Sequence, residues 1–111
     1  MNPIELKLTK EQFKGLIRML IEYNLYRETN SKFYDRKAKI AIENDVMKYI
    51  DKRRLSIGEN QKNIKLKFKY QDGYGLWRIL TSEELMCYFY QGFHYESNVA
   101  EIIKNQIHKQ L

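Results

Sequence analysis

Three lysines at alternate positions form one group of side chains with a single kind of chemistry in this sequence. Lys65, Lys67 and Lys69 are separated by apolar residues, and in an extended strand this spacing puts all three ammonium groups on one face. Such a face favours phosphate, and Tyr70 and Tyr74 nearby offer rings on which bases stack. The alternative is a solvated sheet face whose lysines prevent edge-to-edge aggregation.

A second basic cluster, Lys52, Arg53 and Arg54, lies near the end of a predicted helix. It is a candidate nucleic-acid contact, but cations at that place also complement the helix dipole. The net charge of +6 favours anionic partners. Lysine nevertheless outnumbers arginine 14 to 6, and lysine codons are rich in A and T, so an AT-rich genome explains part of this charge without any function.

Two groups of apolar residues are candidate protein interfaces. Tyr88, Tyr90, Phe93 and Tyr95 surround Gly92, and one helical face is too narrow to bury all of them, which is typical of interface anchors. They alternatively cover a junction between two helices. A second stripe on the long helix consists of Phe33, Ile40 and Met47. It requires a partner, which is either another element of this chain or a second copy, and the second alternative would make the protein a homodimer.

Residues that carry out catalysis or bind metals are sparse. His94 and His108 have no partner at ligand spacing, and Cys87 has no histidine close to it in sequence. We expect a buried thiol at Cys87, no metal, no cofactor and no enzymatic activity. A Cys87–His94 nucleophile pair and a helix-turn-helix around Gly92 are the weaker alternatives.

These side chains must be positioned by a small set of strands and helices. Residues 4–8 alternate as a strand, and Thr9 with Gln12 forms a capping box that starts a helix. A long helix is expected from Ser31 to about Leu55. Residues 64–70 form a second strand, and Asp72-Gly73 predicts a type I′ hairpin into a third strand that places Arg78 opposite Lys67.

The remainder of the chain is predicted to be helical. Thr81 and Glu84 form a second capping box, Gly92 ends that helix in the left-handed conformation, and Ser97 caps a last helix. The order is β-α-α-β-β-α-α, without an apparent internal repeat. We therefore expect one α+β domain over residues 1–111, with a small antiparallel sheet of two or three strands packed by four helices.

Composition narrows the class of function. The single cysteine rules out an internal disulfide, residues 1–5 lack a signal-peptide pattern, and no apolar run approaches the roughly 18 residues of a membrane span. A cytoplasmic, bacterial protein with no membrane contact is expected. The favoured function is non-enzymatic binding of nucleic acid or a nucleoprotein complex. The alternative is a protein-interaction module, such as a phage or mobile-element inhibitor that binds and blocks a host or defence protein.

Overall fold

The computed structural model describes residues 2–29 and 37–111, and over these residues the chain forms two strands and five helices. In chain order they are β1 (Ile4–Thr9), α1 (Lys10–Thr29), α2 (Lys37–Ser56), β2 (Asn63–Phe68), α3 (Tyr70–Leu80), α4 (Glu83–Tyr90) and α5 (His94–His108). The predicted α+β class with a small antiparallel sheet is confirmed. The order is close to the expected one, with a helix where the third strand was predicted.

The two strands pair to form a ribbon, defined here as β1 with β2. Ile4 is opposite Phe68, Leu6 is opposite Leu66, and the antiparallel register continues to Thr9 opposite Asn63. Alternation along each strand gives the ribbon two unlike faces. The apolar inner face is buried against the helices, as expected from the pattern, and consists of Ile4, Leu6, Leu8, Ile64, Leu66 and Phe68.

The helices complete the core beneath the inner face of the ribbon. α1 buries Phe13, Leu16, Met19, Leu20 and Tyr23, whose spacing of three and four residues places them on one face of the helix. The other helices contribute a further set of buried residues: Val46, Ile50, Leu76, Ile79, Leu80, Leu85, Tyr88, Val99, Ala100, Ile103 and Ile107.

The predicted hairpin at Asp72-Gly73 is wrong, because residues 70–80 form α3. The ribbon instead joins β2 to β1, which is distant in sequence. Gly73 and Gly75 are in the helix because two neighbours approach its backbone closely. A Cβ atom at Gly73 would lie 2.6 Å from Ile4 Cδ1, and one at Gly75 would lie 2.5 Å from Ile42 Cγ2. These glycines therefore serve close packing rather than a turn.

The chain contains an internal repeat, contrary to the expectation from sequence. Residues 4–20 align with residues 64–80 without a gap, at a constant offset of 60 positions. Seven pairs are identical: Ile4/Ile64, Leu6/Leu66, Lys7/Lys67, Gly15/Gly75, Leu16/Leu76, Arg18/Arg78 and Leu20/Leu80. Each copy forms a strand followed by a helix. The ribbon register is symmetric under this offset, with a pseudo-twofold axis through the Leu6–Leu66 pair.

The two halves exchange their later helices across this axis. We define the first half as β1, α1 and α2, and the second half as β2, α3, α4 and α5. α2 packs against α3 of the second half, and α5 packs against α1 of the first half as well as against α3 of its own. The crossing points are equivalent: Gly75 faces Ile42 of α2, and Gly15 faces Val99 of α5. Each half is therefore completed by a helix from the other.

The predicted helix ends are confirmed at some positions and wrong at others. Thr9 and Gln12 form the expected reciprocal hydrogen bonds at the start of α1, and Gly92 has a φ of 101°. The N-cap of α4 is Ser82 rather than Thr81, and α5 begins at His94, ahead of the predicted cap at Ser97. The predicted cap at Ser31 lies outside the described residues.

Candidate nucleic-acid interface

The outer face of the ribbon is basic and open to solvent. It carries Lys7 from β1 with Lys65 and Lys67 from β2, and all three lysines are exposed. Lys65 has 61% of its side chain accessible. Glu5 is the single acidic residue among the strand positions of this face. We call Glu5, Lys7, Lys65 and Lys67 the ribbon quartet.

The cross-strand pairs show an unbalanced charge distribution within the quartet. Lys7 is directly opposite Lys65, a like-charge pair, while Glu5 is opposite Lys67. Lys65 Nζ also approaches Glu5 Oε2 at 3.5 Å on the diagonal. The quartet thus has three ammonium groups and one carboxylate, and the carboxylate pairs with Lys65. Like charges directly across a ladder are unfavourable, so a bound anion would stabilise this arrangement.

Helical side chains satisfy both outer edges of the ribbon. Gln106 of α5 accepts a hydrogen bond from Lys7 N at 2.9 Å and donates one to Lys7 O at 2.9 Å. Gln110 makes the same two contacts with Glu5. On the other edge, Tyr49 accepts from Lys67 N at 2.8 Å, and Arg53 donates to Lys65 O at 3.1 Å. These contacts occupy backbone groups that another strand would otherwise pair with.

The predicted basic residues separate into three environments. Lys65 and Lys67 lie on the outer face, as expected. Lys69 is the residue before α3, just beyond the end of β2. Arg78 lies in the last turn of α3 and is not opposite Lys67, so its predicted position is wrong because the third strand does not exist.

The cluster at the end of α2 is also divided. Lys52 is exposed, and Arg53 is fixed to the ribbon edge and to Ser56 Oγ at 2.9 Å. Arg54 points to the side of α2 that faces α1, where it lines a groove with Ile17 and pairs with Asp51 at 3.8 Å. Arg53 is thus close to the ribbon quartet, while Arg54 belongs to another surface.

Sequence reasoning missed Lys7 and Glu5 as site residues. The alternation of residues 4–8 already placed both on the polar face of a strand. The partner of that strand was not identified, because the predicted hairpin paired β2 with a third strand instead of with β1. The repeat of residues 4–20 at 64–80 was the available signal, since like strands pair readily about a twofold axis.

The aromatic residues around Gly92 are exposed except for Tyr88. Tyr88 is buried and stacks on Phe93 with ring centroids 4.1 Å apart, so its predicted role as an exposed anchor is wrong. Burial raises the pKa of the Tyr88 hydroxyl, and the carboxylate of Glu96 adds to the effect. Tyr95 covers Gly15 of α1. Tyr90 is 85% exposed and remains a candidate contact.

Of the three side chains predicted to mediate self-association, the structure describes one. Phe33 and the side chain of Ile40 lie outside the described residues. Met47 is half-buried, packs against the core, and lines the groove between α1 and α2. Its apolar surface is therefore partly covered within the chain.

The cysteine and the potential metal ligands of the chain are the next residues to place. Cys87 is exposed, so the expected burial of its thiol is wrong. Within residues 2–29 and 37–111, no three histidine, cysteine, aspartate or glutamate side chains are grouped as metal ligands would be. None of the helices in this part of the chain has the length and apolar character needed to cross a membrane.

Comparison with known proteins gives no relative for this arrangement. No protein-family model, no curated protein and no solved structure matches the chain.

Proposed function

We propose that this protein is a non-enzymatic nucleic-acid-binding protein that uses the outer face of its ribbon. The observation that carries the proposal is the ribbon quartet, in which three exposed lysines lie with a single carboxylate on one face of the paired strands. Lys52 and Arg53 extend the positive charge from the ribbon edge onto α2. A phosphate backbone is the abundant ligand that suits such a face.

Rigidity of the lysine-bearing backbone supports this reading. Both strands are held on the inner face by buried apolar residues and on the outer edges by Gln106, Gln110, Tyr49 and Arg53. The positions of the three Cα atoms are therefore set before a ligand arrives. Binding then orders only the lysine side chains, which limits its entropic cost.

The test is a fluorescence-anisotropy titration of labelled duplex and single-stranded oligonucleotides at several salt concentrations. The double variant Lys65→Gln/Lys67→Gln is compared with Lys14→Gln/Lys104→Gln, which removes the same charge from helix positions paired with Glu11 and Glu101. We expect the ribbon variant to weaken binding at least about tenfold. Its log K against log salt slope should fall by up to about 1.8, because each lost phosphate contact removes about 0.9.

The control variant separates a specific site from a general charge effect. If Lys14→Gln/Lys104→Gln weakens binding as much as the ribbon variant, the ribbon is not the site. Absence of binding to any oligonucleotide at micromolar protein and low salt would contradict binding of free nucleic acid.

A second candidate, a protein contact, is favoured by one exposed apolar patch. On α4 and the turn after it, Tyr90 and Met86 are exposed, and Phe93 is partly so. An inhibitor from a phage or mobile element that blocks a host or defence protein would use such a patch as an anchor. Loss of the biological phenotype on Tyr90→Ala, with oligonucleotide binding unchanged, would favour this function over the first.

A further inference from the structure

We infer that the ribbon binds duplex DNA and enters its major groove. The pseudo-twofold axis of the protein then coincides with the dyad of an approximate inverted repeat in the DNA sequence. The inference rests on the proposed function and adds the ligand class, the groove and the symmetry of the site. Three independent features carry it: the dimensions of the ribbon, the accessibility of its outer face and the internal repeat.

The dimensions of the ribbon match one groove. Two paired strands lie about 4.8 Å apart and, with six residues each, extend about 17–20 Å. The major groove of B-DNA, about 12 Å wide, accepts a two-stranded ribbon without distortion of the duplex. The minor groove, about 6 Å wide, accepts strands only when the duplex is bent or the groove is widened. Duplex RNA is excluded on the same ground, since its major groove is deep and narrow. A ribbon of this length covers about five or six base pairs.

The flanking helices leave the outer face uncovered. α2 and α5 bury Val46, Ile50, Ile103 and Ile107 in the core on the inner side of the ribbon. The edge contacts come from Tyr49 and Arg53 of α2, Gln106 of α5, and Gln110 just after α5. The three helical residues are offset around their helices from the buried positions. The helices therefore support the ribbon from below and from its edges, while Lys7, Lys65 and Lys67 stay exposed.

The internal repeat gives the face a twofold arrangement. Under the offset of 60, Lys7 corresponds to Lys67 and Glu5 to Lys65. The Lys7–Lys65 and Glu5–Lys67 pairs flank the Leu6–Leu66 axis on opposite sides. Duplex DNA has dyad axes that run through its grooves, so a ribbon centred on one presents equivalent backbone positions to both half-sites.

The two ends of the ribbon differ in chemistry, because Glu5 stands at the position equivalent to Lys65. One half-site meets Lys7 and Lys65, whose ammonium groups suit the N7 and O6 acceptors of guanine. The other half-site meets Lys67 and Glu5, and a carboxylate accepts a hydrogen bond from cytosine N4. The exposed Asn63 lies at the Lys7–Lys65 end of the ribbon. The preferred sequence should therefore be an inverted repeat whose halves differ at the position that Glu5 contacts.

The test is selection of binding sequences from a randomised duplex library with the full chain. The expected result is an enriched motif with twofold-related halves within about six base pairs. Lys7→Ala should relax base preference in one half and Lys67→Ala in the other, each lowering affinity for the selected site about five- to tenfold. Glu5→Lys should make the selected halves more alike. Lys14→Ala should leave the motif unchanged.

Different outcomes separate this inference from the proposed function. Equal or tighter binding of single strands or duplex RNA, or a motif without twofold-related halves, would overturn the duplex inference and leave ribbon binding intact. Competition by a minor-groove ligand but not by a major-groove ligand would also overturn it. Loss of all oligonucleotide binding would contradict the proposed function itself.

Discussion

The two halves of this molecule begin with the same strand-helix unit, but they contact their exchanged helices at different distances. In the second half, a Cβ atom at Gly75 would lie 2.5 Å from Ile42 Cγ2 of α2, whereas one at Gly15 in the first half would lie 3.3 Å from Tyr95 Cε1 and 3.4 Å from Val99 Cγ2 of α5. Both halves have a glycine where the helices cross, but only the crossing at Gly75 is too close for a larger residue. The repeat therefore preserves the fold plan, while the details of packing have diverged.

The edges of the ribbon show the same divergence. β1 is covered by Gln106 of α5 and Gln110 in the turn just after it, and β2 by a tyrosine and an arginine of α2, in each case four residues apart. Four residues along a helix advance about 6 Å, close to the spacing of alternate residues in a strand. Different side chains thus solve one geometric problem, which is to satisfy alternate backbone groups on an edge.

The largest expected effect comes from adding a methyl group at one of the two equivalent glycines. Gly75→Ala should destabilise the protein by about 1–3 kcal/mol, because overpacking against Ile42 outweighs the better helix propensity of alanine. Gly15→Ala should change stability by less than about 0.5 kcal/mol, since the exposed ring of Tyr95 yields easily and alanine favours the helix. Urea denaturation measures both, and equal losses would contradict the unequal crossings.

The next largest effect tests an ion pair that only one half is shown to have. Arg18 Nε donates to Glu96 Oε1 at 2.7 Å, and Glu96 is buried. Arg18→Ala should cost about 1–2 kcal/mol, because the loss of a charged hydrogen bond is reduced by the partial exposure of the arginine. Arg78, its counterpart in the repeat, is exposed, and Arg78→Ala should be nearly neutral. A matching loss at Arg78 would show that the second half has an equivalent contact.

A smaller effect is expected at the ribbon edges. Gln106→Ala removes two hydrogen bonds to Lys7 and should cost about 1 kcal/mol, since water replaces part of what is lost at an exposed edge. Tyr49→Phe removes one bond to Lys67 N and keeps the ring against Phe68, so about 0.5 kcal/mol is expected. Amide exchange should quicken at Lys7 in the first variant and at Lys67 in the second. Unchanged exchange at either amide would argue against that edge contact.

The smallest effect concerns Asp72, the counterpart of Gln12 in the repeat. Partial burial raises the pKa of Asp72 above 3.8, Asp45 of α2 raises it further, and Lys69 opposes the shift. Because the ionised form is disfavoured in the folded state, the cost to stability is present above the folded pKa and vanishes below 3.8. Asp45→Asn should lower the pKa of Asp72 in a carbon-13 titration of its carboxyl group and slightly stabilise the protein at neutral pH. An unchanged titration would exclude the coupling.

Local sequence signals predicted the elements whose neighbours are close in sequence. The Thr9–Gln12 capping box and the left-handed Gly92 depend on a few adjacent residues, and both are found. The alternation of Lys65 and Lys67 with buried residues placed them correctly on an outer face.

Long-range packing decided what sequence reasoning got wrong. Asp72-Gly73 fits a tight turn locally, but the close approach of Ile4 to Gly73 gives that glycine a different purpose. The same error placed Arg78 in the predicted site and left Lys7 out of it. The actual pairing of β2 with β1 joins segments about 60 residues apart, which local patterns do not show. Comparing the chain with itself would have shown the repeat and, through it, the pairing.

The most direct test of nucleic-acid binding by the ribbon is a nitrogen-15 NMR titration of the full chain with a short DNA duplex. The largest amide shift changes should occur at residues 4–9 and 63–68 and at the end of α2 near Arg53, and they should diminish as salt is raised. Changes centred on α4 and Gly92, with the ribbon amides unmoved, would contradict the account.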